Sequence, residues 1–124
     1  MAKVVVHDGK VSVVLSPIEK VGAMRGNVSV SLESITDVHV AGNPWREIRW
    51  ARVGVGLPGV ISLGVRRGPS TKDFTAVYLT VAAVVVNANG PFNRLVVSSR
   101  HADQLVAKIR IAAGLAEGAA GGGS

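Results

Sequence analysis

Cysteine is absent from this chain of 124 residues. Its absence excludes disulfide bonds, thiolate catalysis and zinc sites built on cysteine. The three histidines, His7, His39 and His101, lie far apart and lack the spacing of metal ligands, so we predict no metal site. The first residues lack the apolar core of a secretory signal peptide, and no run is long enough for a transmembrane helix. We therefore expect a cytoplasmic protein.

Valine is abundant among the apolar residues, which indicates strands rather than helices. Fourteen Lys and Arg outnumber eight Asp and Glu, for a net charge of +6. This balance favours weak attraction to nucleic acid or anionic lipid and says nothing about the fold. The length predicts one domain, over residues 1–113. Residues 114–124 form a Gly/Ala-rich tail that resembles a flexible synthetic linker.

Alternating apolar and polar residues between turn signals predict a mainly β protein. Asp8-Gly9 is typical of a two-residue hairpin turn, and Ser16-Pro17-Ile18-Glu19 has the pattern of a helical capping box. Leu105 and Ile109 lie on the apolar stripe of one longer helix. We predict strands over residues 3–7, 11–15, 28–32, 35–40, 45–52, 60–66, 73–79, 82–87 and 92–98, and helices over 17–24 and 100–113. A single helical turn after Pro44 is an alternative opening for the strand at 45–52.

The predicted order of elements limits the architecture. Many short strands followed by one helix exclude a parallel α/β sheet, because the crossover helices are missing. We therefore predict a bent antiparallel sandwich or partly open barrel, capped at one end by the C-terminal helix.

A family resemblance rests on several segments: PWREIR at 44–49, GLPGVISLG at 56–64, RRG at 66–68 leading to DFTAVY at 73–78, and RLVVS at 94–98. With the final helix, they resemble a family of small, mostly uncharacterised bacterial proteins that is similar to pleckstrin-homology-like domains. The resemblance covers about residues 3–113. It implies a bent barrel of seven or more strands capped by a C-terminal helix, and it implies no catalytic residue or cofactor.

The apolar run at 76–86 contains no charge and no Gly, Pro, Asn or Asp. The family resemblance implies a polar, basic turn after Tyr78, whereas this chain has Leu79-Thr80-Val81-Ala82. One interpretation is a pair of core strands in a tight apolar hairpin. The other is an engineered or evolved self-association surface, because exposed apolar patches usually mark interfaces.

The second interpretation predicts a non-enzymatic, homo-oligomeric assembly subunit that associates through the hairpin from Val77 to Val86. The contact would bury apolar and aromatic side chains from this hairpin and from a tryptophan that follows a basic segment. The predicted interface residues are Trp50, Tyr78, Leu79, Val81, Ala83 and Val85.

An alternative function rests on the arginines in the middle of the chain. Pleckstrin-homology-like folds hold lipid headgroups with basic loops, so the resemblance implies a binding module for anionic lipid or another anionic partner. The residues would be Arg46, Arg49, Arg66 and Arg67, which are otherwise interpreted as a solvated surface. No specific nucleic acid is predicted, because only two tryptophans lie among these basic residues.

No motif in the chain predicts catalysis. The sequence GVGLPG at 54–59 matches G-x-G-x-x-G, but a strand rather than a helix is predicted to follow, so it indicates a bend in a sheet. Asp37 and His39 share one face of a predicted strand without a nucleophile elbow and are interpreted as exposed neighbours. We expect no enzyme, no cofactor and no small-molecule substrate.

Overall fold

The computed structural model describes residues 2–23, 26–48, 51–57 and 60–115. Within these residues the chain forms nine strands, two α-helices and two short 3-10 turns, the latter at Leu32–Ser34 and Pro44–Glu47. In chain order, the elements are β1 (Lys3–His7), β2 (Lys10–Val14), α1 (Pro17–Ala23), β3 (Val28–Ser31), β4 (Ile35–Ala41), β5 (Ala51–Leu57), β6 (Ile61–Arg67), β7 (Lys72–Tyr78), β8 (Ala83–Ala88), β9 (Arg94–Ser98) and α2 (Ala102–Ala112).

The strands belong to two sheets. The smaller sheet has the order β1-β2-β3, and the larger has the order β4-β8-β9-β7-β6-β5. The prediction of a mainly β protein with a C-terminal helix is confirmed. The described strands do not close into a barrel, and the pleckstrin-homology-like topology stays a prediction.

Two local motifs form as their sequences predict. Asp8 and Gly9 both have positive φ, 49° and 72°, as a two-residue hairpin turn requires. At the start of α1, the Glu19 N–H donates to the Ser16 hydroxyl over 3.2 Å, and the Ser16 N–H donates to the Glu19 carboxylate over 2.9 Å. This reciprocal pair is the predicted capping box.

The structure confirms the predicted helical turn after Pro44 and corrects the predicted end of the strand that follows it. The Pro44–Glu47 segment is a 3-10 turn, with the Asn43 side chain accepting a hydrogen bond from the Trp45 N–H. Gly54 and Gly56, which were predicted to end a strand, lie within β5 and pair with β6. Ladder hydrogen bonds to a neighbouring strand override the weak strand preference of glycine.

The core lies on both faces of the larger sheet. On the inner face, residues such as Phe74, Val84 and Leu95 pack with valines of the smaller sheet and with Ile109 of α2. On the outer face, a second buried cluster contains Ala41, Val77, Ala83, Val85 and Val96, and Trp45 and Ile48 pack against it. Burial on both faces explains why β8 has no polar alternation in the sequence.

The central part of the larger sheet has a strand order that differs from the chain order. Strands β7 and β8 follow each other in the chain, but β9 lies between them. Val96 of β9 pairs with Thr75 in a parallel ladder and with Val85 in an antiparallel one. The two halves of the apolar run are therefore core strands, but they form no hairpin with each other, and the expected antiparallel pairing fails at β7–β9.

The buried hydroxyl of Ser98 bridges the gap that this strand order creates. It accepts a hydrogen bond from the Tyr78 N–H at the end of β7 and donates one to the Val81 carbonyl, each over 3.0 Å. The next residue continues the bridge, because the Ser99 N–H donates to the Ala82 carbonyl over 2.9 Å. Segment 79–82 crosses the end of β9, and these bonds replace the ladder bonds that it lacks there.

The bridge predicts a large effect of a small substitution. Ser98→Ala leaves the Tyr78 N–H and the Val81 carbonyl without this partner, so we expect a loss of about 1–3 kcal/mol in the free energy of unfolding. Urea unfolding followed by circular dichroism measures it. The control is Ser29→Ala on the exposed face of β3, which should change the free energy by less than about 0.5 kcal/mol. Equal losses in the two variants would contradict the bridge.

Candidate functional site at the apolar end of the sheet

The turn that joins β7 to β8 exposes an apolar surface. Leu79 is 56% exposed and Val60 is 50% exposed. The Leu79 N–H donates to the Val60 carbonyl over 2.8 Å, so the two residues are neighbours. Trp45 and Val81 lie beside them, half-buried. We call Trp45, Val60, Leu79 and Val81 the apolar end.

Leu79 has an unusual backbone conformation. Its φ is 48°, in the left-handed region that glycine and asparagine favour, and an ordinary L-residue loses about 1–2 kcal/mol there. Both backbone groups of Leu79 are bound, because its carbonyl accepts a hydrogen bond from the Trp45 indole. The surrounding structure therefore holds the leucine in an unfavourable conformation with its side chain exposed.

Helix α1 is tied to the same end. The Tyr78 hydroxyl donates to the Glu19 carboxylate, and Glu19 is buried. The preceding residue, Ile18, is 84% exposed. Helix α1 is therefore held at the end of β7 through Tyr78.

The Glu19–Tyr78 pair stays in one protonation state around neutral pH. Burial raises the pKa of Tyr78, and the Glu19 carboxylate raises it further. Burial alone would raise the pKa of Glu19, but hydrogen bonds from Ser16 and Tyr78 outweigh it and lower this pKa overall. A neutral phenol beside a carboxylate makes a stable anchor for α1 and not a reactive nucleophile.

The predicted interface residues differ in how exposed they are. Ala83 and Val85 are fully buried in the outer cluster, and Tyr78 is half-buried against Glu19. Leu79 and Val81 reach the surface, whereas Trp50 lies outside the described residues. Val60 was not among the predicted residues, because only the folded chain brings it beside Leu79 and shows that it stays exposed.

The predicted anion-binding residues are not equally available. Arg46 and Arg67 are exposed, and Arg49 lies outside the described residues. Arg66 is half-buried and donates to the Ser62 hydroxyl over 3.1 Å, so part of its guanidinium is engaged inside the fold. Arg67 lines a polar hollow of about 370 Å³ together with Lys72. Binding of an anionic partner by this arginine set stays a prediction.

A buried cation anchors α2 to the edge of the larger sheet. Arg110, which the sequence analysis did not single out, donates to the Asp37 carboxylate over 3.1 Å and to the Val38 carbonyl over 2.8 Å. Burial alone would raise the pKa of Asp37, but its contacts with His39 and Arg110 outweigh this and lower it. Asp37 and His39 are partly exposed neighbours on one strand face, as predicted, and Asp37 in addition anchors α2 through Arg110.

A Ser-His-Asp arrangement occurs on the first hairpin. The Ser12 hydroxyl lies 3.2 Å from His7 Nε2, and His7 Nδ1 lies 3.1 Å from the Asp8 carboxylate. Sequence analysis missed it, because the pairing of β1 with β2 brings Ser12 to His7. Strand β2 is the middle strand of its sheet, so the N–H groups beside Ser12 point into the ladders on either side. Without free donors of this kind, an oxyanion is not stabilised there.

No protein-family model, curated protein or solved structure matches the chain. None of its described helices has the length and apolar character to cross a membrane. Among the described residues, no group of three or more His, Asp and Glu is placed to hold a metal ion.

The Glu19–Tyr78 pair predicts a pH-dependent contribution to stability. The lowered pKa of Glu19 means that its contribution is present above the usual pKa of glutamate and disappears as the pH falls through the lower, folded value. Tyr78→Phe removes the donor, so we expect a loss of about 1.5–3 kcal/mol in unfolding free energy at neutral pH and a smaller loss at about pH 3.

Urea unfolding of parent and variant at both pH values measures the two losses. Glu33→Gln replaces an exposed carboxylate and serves as the control, with little expected change at either pH. A loss in Tyr78→Phe that is the same at both pH values would show that the carboxylate does not carry the interaction.

The Ser12 arrangement predicts no catalysis. We expect the parent and the Ser12→Ala variant to hydrolyse p-nitrophenyl acetate at the same rate, because the site lacks oxyanion donors. Release of p-nitrophenol, recorded by its absorbance, is the measurement. An initial burst that the parent shows and Ser12→Ala lacks would reveal an acylated serine and contradict this prediction.

Proposed function

We propose that this protein is a non-enzymatic, homo-oligomeric assembly subunit whose copies associate through the apolar end. The observation that carries the proposal is Leu79, a leucine that is more than half exposed and held in the left-handed conformation. Unfavourable backbone conformations of this kind cluster at functional positions.

The free energies involved favour burial of Leu79 in a contact between copies over its exposure to solvent. Leucine loses about 1–2 kcal/mol in the left-handed region, where asparagine or glycine is better accommodated. Burying a leucine side chain completely stabilises by about 1.5–3 kcal/mol. In an isolated subunit, Leu79 has the unfavourable backbone conformation and gains little free energy from burial, because its side chain stays exposed. In a subunit whose Leu79 is buried against another copy, the free energy of burial offsets the cost of the backbone conformation.

The rigidity of the apolar end also supports the proposal. The Leu79 backbone is bound at both its N–H and its carbonyl, and the Ser98 hydroxyl joins the end of β7 to the Val81 carbonyl in the same turn. A surface that is already ordered loses little conformational entropy when a partner covers it. Ala83 and Val85 then support the contact from below instead of forming it.

A second copy suits this surface because a closed dimer uses the same patch twice. Val60 and Leu79 are adjacent aliphatic side chains that pack against their own counterparts across a two-fold axis. The net charge of +6 makes copies repel each other at a distance, and salt screens that repulsion. We therefore expect association to strengthen, not weaken, as salt is added.

Substitution of Leu79 separates an interface role from a structural one. Leu79→Asn suits the left-handed conformation and removes the apolar side chain. We expect it to raise the monomer's free energy of unfolding by up to about 1 kcal/mol and to reduce the mass measured by light scattering after size-exclusion chromatography. If Leu79 lies in the interface, this one substitution both stabilises the monomer and lowers the oligomeric mass.

The matched control is Ile111→Asn, which removes another exposed aliphatic side chain, on α2. Its mass should equal that of the parent at every protein and salt concentration. A parent that is monomeric at high concentration and high salt, or a Leu79→Asn variant with the parent's oligomeric mass, would overturn the proposal.

A further inference from the structure

A hollow of about 430 Å³ lies between the start of β1, the end of β9 and the start of α2. Its lining contains the positively charged Lys3 and Arg100 and the imidazole of His101, and none of the described residues that line it is acidic. Val5 and Leu105 supply apolar surface beside these polar groups. The hollow therefore matches a ligand that has both negative charge and apolar side chains.

One wall of the hollow is the edge of a sheet. Strand β1 pairs with β2 on one side, and no described strand pairs with its other side. The two-residue turn makes His7 and Lys10 a hydrogen-bonded pair, and the pairing alternates from there along the hairpin. The N–H and carbonyl groups of Val4 and Val6 consequently point away from β2, and Val4 lines the hollow.

We propose that this hollow binds an acidic, extended segment of a partner protein, which adds as a strand to the free edge of β1. The segment's backbone would exchange hydrogen bonds with Val4, and its carboxylates would lie near Lys3 and Arg100. The hollow follows residues 2–5, at and just before the start of β1, which corresponds to roughly four residues of an extended partner.

The edge of β1 distinguishes a polypeptide from other anions. Val4 presents one donor and one acceptor at the spacing of a strand, and a peptide backbone satisfies both. A fully ionised phosphate supplies acceptors only and leaves the Val4 carbonyl without a partner. Lys3 and Arg100 alone would suit either a peptide or a phosphate. The outward N–H and carbonyl of Val4 at the edge of β1 are what favour a peptide.

Binding is tested with a fluorescein-labelled peptide of alternating glutamate and valine, and fluorescence anisotropy is the readout. We expect saturable binding that weakens with salt, and binding at least about tenfold weaker for the same peptide with alternate backbone nitrogens methylated. Replacing Lys3 or Arg100 by Gln should weaken binding about two- to fivefold each.

Two proline variants provide a matched pair in the protein itself. Val4→Pro removes an N–H that points away from β2, so the ladder to β2 is kept. Val6→Pro removes the equivalent outward N–H beyond the hollow. We expect Val4→Pro to weaken peptide binding at least about tenfold and Val6→Pro to leave it within about twofold, since only the first N–H lies at the hollow.

Three results would overturn the proposal: no saturable binding at millimolar peptide, equal affinity for the methylated and unmethylated peptides, or complete displacement by inorganic phosphate at a comparable concentration. The methylated peptide is tested on the parent protein, so the proposal stays falsifiable even if Val4→Pro does not fold.

Discussion

The position of β9 between β7 and β8 is the constraint on which the rest of this structure depends. It places Val96 at the centre of the larger sheet, paired on both sides, and it makes segment 79–82 cross the end of a strand. The buried Ser98 hydroxyl satisfies the backbone groups at that crossing. The same crossing brings Leu79 to the surface in its left-handed conformation.

Burial on both faces of the central strands follows from this arrangement. The inner face packs on the smaller sheet and α2, while Trp45 and Ile48 pack against the outer cluster. Two hydroxyls inside the buried sheet, those of Ser62 and Thr75, pair with each other at 3.0 Å. Arg110 ties α2 to the edge strand β4 in the same way, through a buried hydrogen bond to a backbone carbonyl.

Within the apolar run at 76–86, most of the strand residues are buried and a turn residue is exposed. Val77, Ala83 and Val85 are buried in the outer cluster, against which Trp45 and Ile48 pack, whereas Leu79 is exposed because it lies in the turn. The two interpretations of the run therefore apply to different parts of it. Its strands belong to the core, and only its turn is available for the proposed self-association.

Local sequence signals predicted the local structure well. Asp8-Gly9 and the Ser16–Glu19 capping box form as expected, because each depends on residues within a few positions of one another. The alternation at 28–32 and the apolar stripe of the C-terminal helix likewise predicted β3 and α2 to within a few residues.

Long-range pairing was not predictable from the same signals. The pairing of Thr75 with Val96 joins residues 21 positions apart, and no short motif specifies it. Gly54 and Gly56 lie in β5 because β6 pairs with them, although glycine locally disfavours strands. For the candidate site, Leu79 and Val81 were predicted, but the contribution of Val60 depends on the fold that brings it beside Leu79.

The strand order of the larger sheet is tested most directly by nuclear Overhauser effects between backbone protons. The account predicts contacts from Val96 to both Thr75 and Val85, in the parallel and antiparallel patterns respectively. Backbone contacts that join Val77 directly to Ala83, with none from Val96 to Thr75, would show a simple β7–β8 hairpin. That result would contradict the inserted strand and the exposed position of Leu79 that follows from it.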